Sequence, residues 1–118
     1  MADDLWRQSA TTLAELIRTK QASCEEVVES HLGRIDAVNP KLNAITVVLA
    51  DSARSAAAEA DKQEPTGRLH GVPFTIKENI DCLDSATTRG IPASRHNSYW
   101  SKDRWPATSK MYVLRMKF

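Results

Sequence analysis

The chain has 118 residues, enough for one small folded unit, and 42% of them are hydrophobic and 26% charged. That balance is ordinary for a globular protein and excludes a low-complexity or collagen-like chain. No apolar stretch approaches the ~18–20 residues of a membrane span, and the net charge of +1 excludes a uniformly basic nucleic-acid binder.

The first predicted element is a helix over about 12–20. Thr12 stands three residues before Glu15, the spacing of a capping box. Leu13, Leu16 and Ile17 form its apolar face. A second box, Ser23 to Glu26, opens a helix over about 23–38. Val27, Val28, Leu32, Ile35 and Val38 recur on it at helical spacing, and Asn39-Pro40 is expected to end it. His31 lies beside this stripe and reads as a packing histidine.

Ile45-Thr46-Val47-Val48-Leu49 is a β-branched run and predicts a strand within 44–49. Asp51 is placed to cap an alanine-rich helix over about 52–62. Glu64-Pro65-Thr66-Gly67 breaks the chain before a second strand, over 72–77. In that strand Val72, Phe74 and Ile76 alternate with Pro73, Thr75 and Lys77. Lys77 therefore shares a face with Thr75 and Pro73, opposite the large apolar side chains. The order helix, helix, strand, helix, strand predicts an α/β architecture with a mixed or partly parallel sheet.

The remaining features are sparse. Cys24 and Cys82 have no metal-knuckle or redox spacing, and His31, His70 and His96 are scattered. No metal and no cofactor are expected. Free thiols and an acidic start at Met1-Ala2-Asp3-Asp4 read as cytoplasmic. Residues 1–88 carry 9 basic and 14 acidic side chains, whereas residues 89–118 carry 7 and 1.

Leu69-His70-Gly71-Val72-Pro73-Phe74-Thr75-Ile76-Lys77-Glu78-Asn79-Ile80-Asp81 carries more information than its spacing. It resembles the lysine-bearing segment of the amidase signature family, whose pattern runs roughly L-H-G-[VI]-P-x-x-[VIL]-K-[DE]-N-[IF]. Thr87-Thr88-Arg89-Gly90-Ile91-Pro92-Ala93 is similar to the loop that follows it. The resemblance spans about residues 10–93. It implies that the chain is the N-terminal portion of an amidase-signature mixed sheet flanked by helices, incomplete as it stands. It also implies that Lys77 corresponds to the catalytic lysine of a Ser–Ser–Lys triad, with a small-molecule amide as substrate of the complete enzyme.

The physical logic of such a triad is clear. A serine hydroxyl is a weak nucleophile and needs an adjacent base. A lysine serves only when neutral, so burial or a nearby cation must favour that form. Backbone N–H groups of a Gly/Ser-rich loop then hold the oxyanion. After Lys77 the serines are Ser85, Ser94, Ser98, Ser101 and Ser109, and the only glycine is Gly90. The two serines of the family pattern are therefore absent, and the chain alone is expected to be inactive. A Cys–Lys–Glu arrangement from Cys82, Lys77 and Glu78 is disfavoured, because residues this close along one strand and turn diverge.

Residues 1–93 thus read as the N-terminal part of an amidase domain. Residues 94–118 read as a divergent basic tail, expected to be poorly ordered. Tyr99, Trp100 and Trp105 lie in this tail among basic residues, but no nucleic-acid partner is expected. Uncovered sheet surface predicts self-association. Two other readings stay open: the glutamine-hydrolysing subunit of a tRNA-dependent amidotransferase, and a non-catalytic α/β interaction module.

Overall fold

The structure is a computed structural model that describes residues 2–77, 80 and 113–116. A 3-10 helix (Ala2–Arg7) leads into α1 (Ala10–Arg18) and α2 (Cys24–Leu42). Then come β1 (Ile45–Val48), α3 (Ala50–Asp61), β2 (Phe74–Lys77) and β3 (Val113–Met116).

The core is helical. Leu13 and Ile17 of α1 meet Val27, Val28, Leu32 and Ile35 of α2, and Ala53, Ala57 and Ala60 of α3 close the group with Val72. These are the predicted apolar faces, with Leu16 and Val38 half-buried at the margins. Val27 and Val28 are almost fully enclosed, and burial of that kind stabilises by about 1.5–3 kcal/mol per side chain. The small alanines of α3 let it approach α2 closely. At the other side of α2, the Trp6 backbone N–H donates to Ser30 Oγ at 3.1 Å, and the Arg34 guanidinium lies 4.2 Å from the Trp6 ring centre.

Three local expectations are adjusted. The cap of helix α1 lies three residues earlier than the Thr12 box implies. Ser9 is the N-cap and accepts from the Thr12 N–H at 3.1 Å, while Glu15 pairs with Arg18 instead. Helix α2 runs through Pro40 to Leu42. Proline removes one i→i−4 hydrogen bond and crowds the carbonyl four residues back, yet the helix continues for two residues beyond it. Asn43 then stops the helix in the left-handed conformation, φ 49°. The Asn39 amide oxygen accepts from the Ala44 and Ile45 N–H groups and its NH2 donates to the Ile45 carbonyl, so Asn39 shapes the entry to β1. Asp51 is not the cap of α3. Leu49 holds that position without a side-chain bond, and Asp51 lies in the first turn 3.9 Å from Arg54.

The sheet is mixed, with order β1-β3-β2. β3 runs antiparallel to β1 and parallel to β2. β1 and β2 therefore do not pair with each other, and they run in opposite directions. The β1–β3 register shifts between Ile45 and Val47. The sequence over 113–116 does not itself predict a strand, since Val-Leu-Arg-Met has no period-2 alternation. The rest of the tail, with Tyr99, Trp100 and Trp105, lies outside the described residues.

Candidate catalytic segment

Lys77 ends β2. Burial along the strand alternates as the sequence predicted: Phe74 and Ile76 are half-buried, Thr75 and Lys77 exposed. In the parallel ladder Lys77 is level with Met116. The Lys77 carbonyl accepts from the Ile80 N–H at 3.0 Å.

The start of this segment is seated on the helical core. A tight turn brings it there: the His70 N–H donates to the Gly67 carbonyl at 3.2 Å, and the Val72 N–H to Leu69 at 3.1 Å. His70 Nε2 lies 3.1 Å from the Ala60 carbonyl of α3. A carbonyl can only accept, so the proton is on Nε2. Gly71 follows at φ +75°, pressed against the Cys24 side chain. Val72 then enters the core at 8% exposure.

Cys24 is the first residue of α2, and its surroundings explain the seat. Asp61, the last residue of α3, accepts from the Cys24 N–H at 2.7 Å and from the Glu25 N–H at 3.1 Å. Ser23 Oγ accepts from the Glu26 N–H at 3.0 Å, and Glu26 returns a bond to the Ser23 N–H at 2.8 Å. The predicted capping box is thus present. A carboxylate from another helix adds to it, so the first three amides of α2 all have acceptors. Burial first, then the adjacent Asp61 carboxylate, push the Cys24 thiol up to about 12. Cys24 is therefore a neutral packing group and not a nucleophile.

A cleft of about 390 Å3 opens beside this seat, with Lys20, Glu26, Gln63 and His70 in its wall, and Lys77 is not among the residues that line it. His31 resembles His70 in role, its Nδ1–H donating to the Val27 carbonyl at 2.7 Å. Among the described residues no group of three or more His, Cys, Asp or Glu could hold a metal ion. No described helix is long and apolar enough to cross a membrane. Glu78, Cys82 and the five serines after Lys77 lie outside the described residues, so Lys77 is the one predicted site residue that the structure positions. The seat formed by Cys24, Asp61, His70 and Gly71 was not predicted as a unit. Its signals were present singly, as a cysteine after a helix cap, an aspartate ending an alanine helix, and a His-Gly pair before a strand.

The family model described as Amidase matches residues 26–103. The indoleacetamide hydrolase of Bradyrhizobium diazoefficiens is 46% identical over 95 residues, covering 77% of this chain and 18% of the relative. A glutamyl-tRNA(Gln) amidotransferase subunit of Acidothermus cellulolyticus is 41% identical over the same coverage of each chain. The putative amidase AmiD of Mycobacterium tuberculosis is 36% identical across 98% of this chain and 24% of its own length. Among solved structures, a bacterial aryl acylamidase of the amidase signature family superposes with a TM-score of 0.78 at 30% identity, over 92% of this chain and 25% of that one. The chain thus spans about a fifth to a quarter of the length of these relatives. By sequence and by fold, the chain belongs to the amidase signature family of amide hydrolases.

Proposed function

We propose that Lys77 is the base of a Ser–Ser–Lys centre that hydrolyses a carboxamide to a carboxylate and ammonia or an amine. The observation that carries this is the position of Lys77 at the end of a strand whose start is seated on the helical core. Such a strand holds a side chain at a fixed point, as a catalytic base requires. In the reaction the neutral lysine takes a proton through a bridging serine, and the nucleophilic serine attacks the amide carbon. The tetrahedral oxyanion is held by backbone N–H groups and collapses, the nitrogen leaving with a proton. Water then hydrolyses the acyl-enzyme. Both serines and the oxyanion loop come from sequence beyond these 118 residues, so the isolated chain does not turn over amides. The exposed Lys77 side chain must also be covered by those segments, since a lysine base works in its neutral form.

The test is ammonia release from simple carboxamides by a chimaera in which this chain replaces the matching part of a full-length relative. The chimaera is expected to be active, and Lys77→Ala or Lys77→Arg to abolish the activity. Arginine keeps the charge but does not give up its proton near neutral pH. An active chimaera indifferent to Lys77→Ala overturns the assignment. The 41% identity to a tRNA-dependent amidotransferase component favours one second reading, in which the amide is glutamine and the ammonia goes to charged tRNA. Glutamine turnover that requires partner proteins and tRNA selects that reading.

A further inference from the structure

We propose that His70 is a positioning residue for Lys77, fixing the register of the strand that carries it. The proposal rests on the reading of Lys77 as the base. Backbone pairing of β2 with β3 is the same wherever the strand slides, so the ladder does not choose a register. The alternation of Phe74 and Ile76 with Thr75 and Lys77 opposes a slip of one residue, which would turn Lys77 to the apolar face. It does not oppose a slip of two.

The seat does. The His70 Nε2–H is bonded to the Ala60 carbonyl, a group at the end of α3 that also accepts from the Gln63 N–H at 3.1 Å. Directly after it, Gly71 has no room to move past the Cys24 side chain. Val72 is buried one residue later. These three contacts fall in consecutive residues, five to seven before Lys77. Two of them are non-directional packing. The hydrogen bond of His70 is the directional one, and it ties the strand to a helix end and not to another strand.

A purely structural histidine and a positioning one differ in what their loss disturbs. In this chain, hydrogen exchange is measured for His70→Leu and His70→Gln. Glutamine places an N–H donor near the position of Nε2, and leucine does not. His70→Leu is expected to speed exchange within residues 69–77 by about fivefold, the worth of one hydrogen bond, with residues 27–35 of α2 unchanged. His70→Gln is expected to restore the original rates. In the active chimaera, His70→Leu should lower kcat with KM unchanged, and His70→Gln should recover it. Equal loosening of α2, or no change in 69–77, or failure of glutamine to rescue overturns the proposal. So does an unchanged kcat in a chimaera that Lys77→Ala inactivates. If instead Lys77→Ala leaves the rate intact while His70→Leu still loosens 69–77, the reading of Lys77 has failed and the anchoring itself has not.

Discussion

Gly71 packs against the Cys24 thiol so closely that no side chain fits between them. A Cβ built on Gly71 overlaps Cys24 Sγ and comes within 3.2 Å of Cys24 Cβ and of Ile17 Cδ1. The backbone adds a second constraint, since φ is +75°. Left-handed geometry costs an L-residue about 1–2 kcal/mol, and overpacking of a core about 1–3 kcal/mol.

Gly71→Ala is therefore expected to destabilise the chain by about 2–5 kcal/mol, the sum of those two effects. Adding Cys24→Ala removes the overlapping sulfur but not the strain in φ. Combined in one chain, the two changes should cost less than their separate effects added together, by about 1 kcal/mol or more. Urea unfolding of the four chains measures this. Strict additivity would show that the thiol is not what excludes a side chain at Gly71.

Asp61 sits where its own helix disfavours it. A carboxylate in the last turn of α3 faces the negative end of that helix dipole. It is nonetheless held there, because it meets the positive end of α2 and accepts from two amides. Asp61→Ala is expected to cost about 1–2 kcal/mol, in the range of a lost helix cap. Asp61→Asn keeps one acceptor oxygen and should cost about half as much. The readout is again the urea midpoint. Equal effects of alanine and asparagine would mean that packing, not hydrogen bonding, is what Asp61 supplies.

How much of this was readable beforehand depends on sequence separation. The Ser23 box, the stripes of α1 and α2, and the alternation of β2 are local patterns, and each is found in the structure. The Thr12 box failed because Ser9 offers an equally good cap one turn earlier. Pro40 failed as a stop because Asn43, in the left-handed conformation, ends the helix three residues later. Asp51 failed because the chain turns into α3 at Leu49. The pairing of Cys24 with Asp61 joins residues 37 apart, and no local pattern announces it. A motif singles out Lys77 as a candidate, but the seat that holds its strand emerges only when α2, α3 and the turn before β2 are brought together.

The raised Cys24 thiol gives a pH dependence with a definite sign. The folded state holds this proton up to about 12, whereas an unfolded cysteine releases it near the ordinary thiol value of about 8.5. Its contribution to stability is thus complete below the unfolded value and is lost as pH rises through the window toward 12. Wild type should lose stability in that window more steeply than Cys24→Ala. Peptide-resolved alkylation at pH 8 should also find Cys24 unreactive in the folded chain and reactive in urea. Rapid native alkylation at Cys24 would contradict its burial.

Val47 and Val48 point to opposite faces of β1, yet they are 38% and 37% exposed, so this end of the strand is uncovered on both faces. Leu42, just before the strand, is 68% exposed. Among the described residues β1 pairs only with β3; on its other edge the Asn39 side chain meets the Ile45 N–H and carbonyl, and the Val47–Val48 end has no strand beside it. Apolar faces beside an open edge promote association of like chains. The isolated chain is therefore expected to self-associate with rising concentration in sedimentation velocity. A Val47→Lys, Val48→Lys chain should shift toward monomer without losing helical signal, because neither valine belongs to the core of α1, α2 and α3. In the chimaera with a full-length relative, further segments should cover this surface, and the lysine pair should then destabilise the enzyme instead of dispersing it. A wild-type chain that stays monomeric at all concentrations would show that β1 is not an adhesive edge.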